Sequence, residues 1–165
     1  LYSKEVLNIG GGGYAILNGL YFFGSMLGSL LITFSIVKIR KSRILFISAL
    51  LFSLFHILLY NSNEPVISGF LIVASGISHS IWWISILVYL QTISDEKYKG
   101  RVVGFYFSLL VSVSVGSIVG GLISEFIGIR STVYLAMACL MTIHSFAFFI
   151  SPKLRKLNLL EKTSY

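Results

Sequence analysis

Hydrophobic positions in this chain come in long unbroken runs rather than in alternation with polar ones. Residues 13–37, 44–60, 66–93, 102–124 and 132–150 contain no Lys, Arg, Asp or Glu. A run of roughly 17–25 apolar residues is what a helix needs to cross the hydrocarbon core of a bilayer. Backbone N–H and C=O groups find no water there, so each run must pair them internally, as a helix does. The pattern predicts an all-α, polytopic transmembrane helix bundle with five spans over those ranges and a tail over 151–165. Pro65 and Pro152, the two prolines, fall at span edges, where a missing amide hydrogen does little harm. Asn61-Ser62-Asn63-Glu64-Pro65 reads as a turn, with Asn63 as the cap of the third span.

Charge adds a direction to this bundle. Alternate connections hold eleven of the thirteen Lys and Arg residues. They are Lys38, Arg40, Lys41 and Arg43 after the first span, Lys97, Lys99 and Arg101 after the third, and Lys153, Arg155, Lys156 and Lys162 in the tail. Only Lys4 and Arg130 lie in the other connections. The positive-inside bias then predicts a plasma-membrane protein of bacterial type, with the N-terminus outside and the tail in the cytoplasm. Orientation and anionic headgroups account for the net charge of +7, so the lipid bilayer is an expected partner and nucleic acid is not. The same basic residues, Arg40 and Gly100-Arg101 among them, are candidates for contacts at a closing cytoplasmic face. Cys139 stands alone in the fifth span, which leaves no disulfide framework and no cysteine metal site; no metal and no cofactor is expected. An external N-terminus without a signal peptide, a first residue Leu1, and an odd number of spans lead to the expectation that a further span precedes Leu1 in a longer polypeptide.

Helices in lipid associate where small residues let backbones approach. The fourth span carries Ser108, Ser112, Gly116, Gly120 and Ser124, a small residue at every fourth position and hence along one face. The first span has a shorter version in Gly24 and Gly28, with Ser25 and Ser29 beside them. The second and fifth are bulky, as in Ile44-Leu45-Phe46-Ile47 and Phe146-Ala147-Phe148-Phe149. Spans one and four are therefore expected to be packed on both sides, and spans two and five to face lipid. The small-then-bulky order of spans one and two returns in spans four and five, with span three between them. With one added span at the start this is a three-plus-three inverted repeat.

These features resemble the C-terminal half of a Major Facilitator Superfamily transporter, nearest the multidrug, macrolide or siderophore exporter branch. The resemblance covers about residues 11–154. It rests on Leu90-Gln91-Thr92, on Lys99-Gly100-Arg101-Val102-Val103-Gly104, on Gly116-Ser117-Ile118-Val119-Gly120-Gly121, and on Gly128 as a turn glycine. It implies that the spans are helices eight to twelve of a twelve-helix fold whose N-terminal half is a missing partner. The competing register, helices two to six of the N-terminal half, draws on the likeness of Gly116–Gly121 to the antiporter pattern G-P-x-x-G-G, with Ser117 in place of proline. Against it, the loop Val37–Arg43 lacks the acid and the glycine of D-R-x-G-R-R, and Ile72 stands where an arginine belongs.

Polar groups within a membrane need a partner, a cavity or a function. Span three is richest in them, and Ser75, His79 and Trp82 fall on one helical face with Ser78 and Ser85 at its flanks. Ser75, His79, Trp82 and Trp83 are the candidate substrate-binding residues, Trp82 offering a flat surface to a lipophilic or cationic small molecule. His56 and His144 read as residues near the membrane interface. No Asp or Glu lies within a span, Glu125 being nearest, so a proton-coupling role falls to His79 or to the missing part. Three histidines on three spans, with no acid among them, show no catalytic or metal-ligating spacing, and no Walker-type loop is present; an enzyme is not expected. Secondary-active efflux is the function implied. The alternative is a truncated or partner-dependent membrane protein without transport of its own.

Overall fold

The computed structural model describes residues 10–35 and 41–150, all in helices or the short turns between them. Helix α1 spans Gly10–Ser35, α2 Lys41–Asn61, α3 Pro65–Ile93, α4 Lys99–Ser108, α5 Leu110–Ile127 and α6 Ile129–Ile150, with a 3-10 turn at Glu96–Tyr98. Among the described residues, five segments are long and apolar enough to cross a membrane, α4 and α5 together forming one of them. The expected all-helical, five-span architecture is the one observed. The break between α4 and α5 has a local cause. The Ser108 hydroxyl donates to the Phe105 carbonyl at 2.7 Å, and the Leu109 N–H is shared between the Phe105 and Tyr106 carbonyls at 3.3 Å each. A hydroxyl that competes for an intrahelical carbonyl tightens and bends the ladder at that point.

Helix α3 is the hub. It packs along α1 on one side and along α2 on another, α2 in turn carries α6, and α5 makes only a thin contact with α6. The α1–α3 pair runs parallel, because Gly24 meets Val73 and Gly28 meets Ile77 one turn further along. A Cβ on Gly24 would stand 2.2 Å from the Val73 carbonyl oxygen, one on Gly28 2.5 Å from that of Ile77, and one on Gly76 2.2 Å from that of Tyr21. These distances leave room for hydrogen only. Ser25 Oγ adds a hydrogen bond to the Gly76 carbonyl at 3.3 Å across the same crossing.

The interior is small and polar, as befits a protein whose solvent is hydrocarbon. Ser53, Ser68 and Ser75 are fully buried, while Phe22, Phe34, Phe70, Phe126 and Phe146 are exposed. Lipid tails are as apolar as leucine, so burying large apolar groups offers little advantage and close packing of small ones prevails. Ser48, Ser53 and Ser78 donate to the carbonyls of Ile44, Ala49 and Ala74 on their own helices, at 2.7, 3.1 and 2.9 Å. Their hydroxyls thus need no water.

Several expectations change. The five-member ladder on span four is not a helix interface among the described residues, because Gly116 and Gly120 face open space. The shorter set on span one is the one used, because α3 meets it with a glycine and bare carbonyl edges. The bulky faces of spans two and five do not simply meet lipid: Phe46 of α2 stacks on Phe148 of α6 with ring centroids 4.5 Å apart. Glu64 rather than Asn63 is the residue that precedes α3 as its cap, without a side-chain capping bond. Asn63 Oδ1 instead accepts a hydrogen bond from Arg130 Nη2, which ties the α2–α3 turn to the start of α6. Gly100 and Arg101 belong to the first turn of α4 rather than to a loop, and Arg40 lies outside the described residues. Gly128, expected as a turn glycine, separates α5 from α6 with φ of 79°, a conformation that favours glycine.

The glycine crossing yields a prediction. Gly76→Ala and Gly24→Ala should each destabilise the bundle by about 1–3 kcal/mol, the usual penalty for overpacking. Gly116→Ala should instead be neutral or slightly stabilising, since its site is open and alanine is the better helix former. Thermal or denaturant unfolding of the three variants in one detergent compares them directly.

Candidate functional site

The polar face of α3 is divided among its neighbours. Ser75 turns to α2, where its Oγ lies 3.0 Å from His56 Nδ1. The same nitrogen is 3.1 Å from the Phe52 carbonyl oxygen. Nδ1 of His56 is thus shared between a hydroxyl of α3 and a carbonyl of its own helix. One turn on, the His79 ring sits among Phe52, Tyr21 and Trp83, at centroid separations of 5.3, 5.7 and 5.9 Å. It is nearly coplanar in stacking with Trp83, at 21°. Trp82 donates its indole N–H to His144 Nε2 of α6 at 3.0 Å. Trp83 packs on Tyr106 of α4 at 4.9 Å, and the Tyr106 hydroxyl donates to the Trp83 carbonyl at 2.9 Å. The four candidate residues of span three therefore occupy one region, each held by a different element.

Beside this aromatic cluster lies a cavity of about 500 Å³. Helix α1 contributes Tyr14, Asn18 and Tyr21 to its wall, and α2 contributes His56 and Tyr60. The opposite wall is the small-residue face of α5, namely Ser117, Gly120, Gly121 and Ser124, with Thr132 and Met137 of α6. Gly120 and Ser124 of the ladder thus line the cavity together with tyrosine side chains of α1 and α2. Among the described residues, no Asp, Glu, Lys or Arg lines the space. Ser75, His79, Trp82 and Trp83 do not line it either; they stand behind it, joined to it through Tyr21, which touches His79, and His56, which touches Ser75.

His56 and His144 both turn toward α3. Each is tied by its Nδ1 to a carbonyl four residues back, His144 to that of Leu140 at 2.9 Å, and each meets α3 through a side-chain hydrogen bond. Asn18, Tyr21, Tyr60 and Thr132 are wall residues that the reading of span three alone does not reach. Asn18 does leave a signal, as the single carboxamide within the first apolar run. The bundle ends carry the remaining polar ties. Tyr134 of α6 donates to Asn61 Oδ1 at 2.8 Å. At the opposite end Lys99 pairs with Glu96, and Lys97 lies 4.8 Å over the Tyr98 ring.

Ser75→Ala removes one interhelical hydrogen bond without altering shape. It should lower stability by about 0.6 kcal/mol, the typical worth of such a bond within a membrane. Chemical unfolding in mixed micelles, with Ser53→Ala as an intrahelical control, measures the difference.

Comparison with known proteins adds one positive finding. No curated protein and no solved structure matches the chain. The family model of the Major Facilitator Superfamily matches residues 1–163, over the same five membrane-length helices. Members of that family move solutes across membranes, which suits a cavity walled by hydrogen-bonding groups. The chain belongs to the Major Facilitator Superfamily and is a membrane transport protein.

Proposed function

We propose that this protein carries out secondary-active efflux of a small lipophilic molecule by alternating access. The uncharged cavity is the observation that carries this reading. Its wall mixes apolar side chains with the hydroxyls of Tyr14, Tyr21, Tyr60, Ser117 and Thr132 and the amide of Asn18. Such a wall accepts an apolar body bearing a few hydrogen-bonding groups. A cation would enter without a carboxylate to offset its desolvation, so the lipophilic class is favoured over the cationic one.

Ser75, His79, Trp82 and Trp83 stand behind this wall, and in the proposed cycle they become a surface for the molecule only as the helices rock. Trp82 supplies the flat face, and the backing from Phe52 and His79 keeps it in place. In this proposal the chain occupies the C-terminal position, helices eight to twelve, and a second helical half supplies the opposing wall. The basic residues at the Lys97–Arg101 end face the cytoplasm, as the positive-inside bias requires. Arg101 and Gly100 then stand where the cytoplasmic side closes.

Two measurements test the reading. Efflux of a lipophilic dye from cells, normalised to membrane expression, should fall at least about tenfold, equivalent to ~1.4 kcal/mol, in Gly120→Leu, which fills the cavity. Trp82→Ala and His79→Ala should lower it likewise; unchanged efflux in both would remove the aromatic cluster from the pathway. For orientation, a Cys139→Ser background carrying Glu64→Cys should react with an impermeant maleimide on intact cells. Asp95→Cys should react only after permeabilisation, and the reverse result would invert the assigned topology.

A further inference from the structure

We propose that His144 is the positioning residue for Trp82, acting as a neutral hydrogen-bond acceptor that sets the plane of the indole. Indole nitrogen can only donate, and a carbonyl can only accept. His144 Nδ1 lies 2.9 Å from the Leu140 carbonyl oxygen, so Nδ1 carries the proton. Nε2 is then left with a lone pair, and the Trp82 N–H meets it at 3.0 Å. A proton added to Nε2 would set two donors against each other, so the bond requires the neutral ring. The two rings meet edge to face, at 63° with centroids 5.2 Å apart, which suits a bond along the imidazole edge.

Two constraints together fix the indole. Phe52 of α2 runs nearly parallel to it, at 16° and 6.2 Å, and so limits tilt. A parallel ring such as Phe52 does little to limit rotation within the plane, which the directional bond at Nε1 does. His144 is also the point at which α6 reaches the α3 cluster. Its other described side-chain ties run to α2 and to the α2–α3 turn: Phe148 to Phe46, Tyr134 to Asn61 and Arg130 to Asn63. A displacement of α6 during transport reaches Trp82 directly through the bond from His144. The role in transport rests on the proposed function; the role in fixing the indole does not.

The test uses the Trp83→Phe protein, in which Trp82 is the one remaining tryptophan. Its indole N–H is observed by proton–nitrogen NMR in lipid nanodiscs, and dye efflux is measured in cells with the same variants. The expected result is a hydrogen-bonded, downfield indole proton with His144 present. His144→Phe should lose that displacement, and His144→Gln, whose carboxamide oxygen can accept from the same place, should restore it. Efflux should fall with His144→Phe and recover with His144→Gln. An indole signal unchanged in His144→Phe, or lost equally in His144→Phe and His144→Gln, would overturn the proposal. Because the spectrum involves no transported molecule, a failure of the transport reading shows separately, as efflux insensitive to Trp82→Ala beside an intact spectral pattern.

Discussion

Where Gly24 and Gly28 lie against the carbonyl edges of Val73 and Ile77, no side chain separates α1 from α3. In lipid there is no hydrophobic force between helices, so association depends on how closely their surfaces fit. Gly76 opens the same crossing from the other helix, and the Ser25 hydroxyl closes it with a hydrogen bond. With α3 held in this rotation, Ser75 faces α2, Trp82 faces α6 and Trp83 faces α4. A rotation of α3 large enough to relieve one glycine contact would break those three partnerships together.

The second constraint is that polar groups in a membrane must find partners within the protein. Most hydroxyls of the bundle turn back to carbonyls of their own helix, as Ser48, Ser53, Ser78, Thr92 and Ser117 do. This satisfies them and contributes nothing to specificity between helices. Among the bonds that do cross, those of His56 with Ser75 and of Trp82 with His144 lie where α2, α3 and α6 converge. The aromatic rings around His79 fill that convergence. They form a backing for the adjacent cavity, whose wall carries Asn18 and the tyrosines.

Two stripes of small residues have opposite fates in this fold. On α1 the stripe meets another flat surface and becomes an interface; on α5 it faces tyrosines across a gap and becomes a wall. A ladder of glycine and serine makes close approach possible, but the partner decides whether it occurs.

The membrane spans, their helical state and their number were legible in the sequence, because an apolar run of that length has one way to pair its backbone in lipid. Span three was legible as the richest polar helix, and the turn at Gly128 as a glycine position. Partner choice was not. That Gly24 and Gly28 meet α3 while Gly120 and Gly121 face a cavity follows from which helices are adjacent, and spacing along one helix carries no record of its neighbours. The same holds for His56 and His144, which look interfacial when read along their own helices and become central once α2 and α6 flank α3. Local sequence determines what each helix can offer; only the crossing of helices distant in the chain decides what it is offered to.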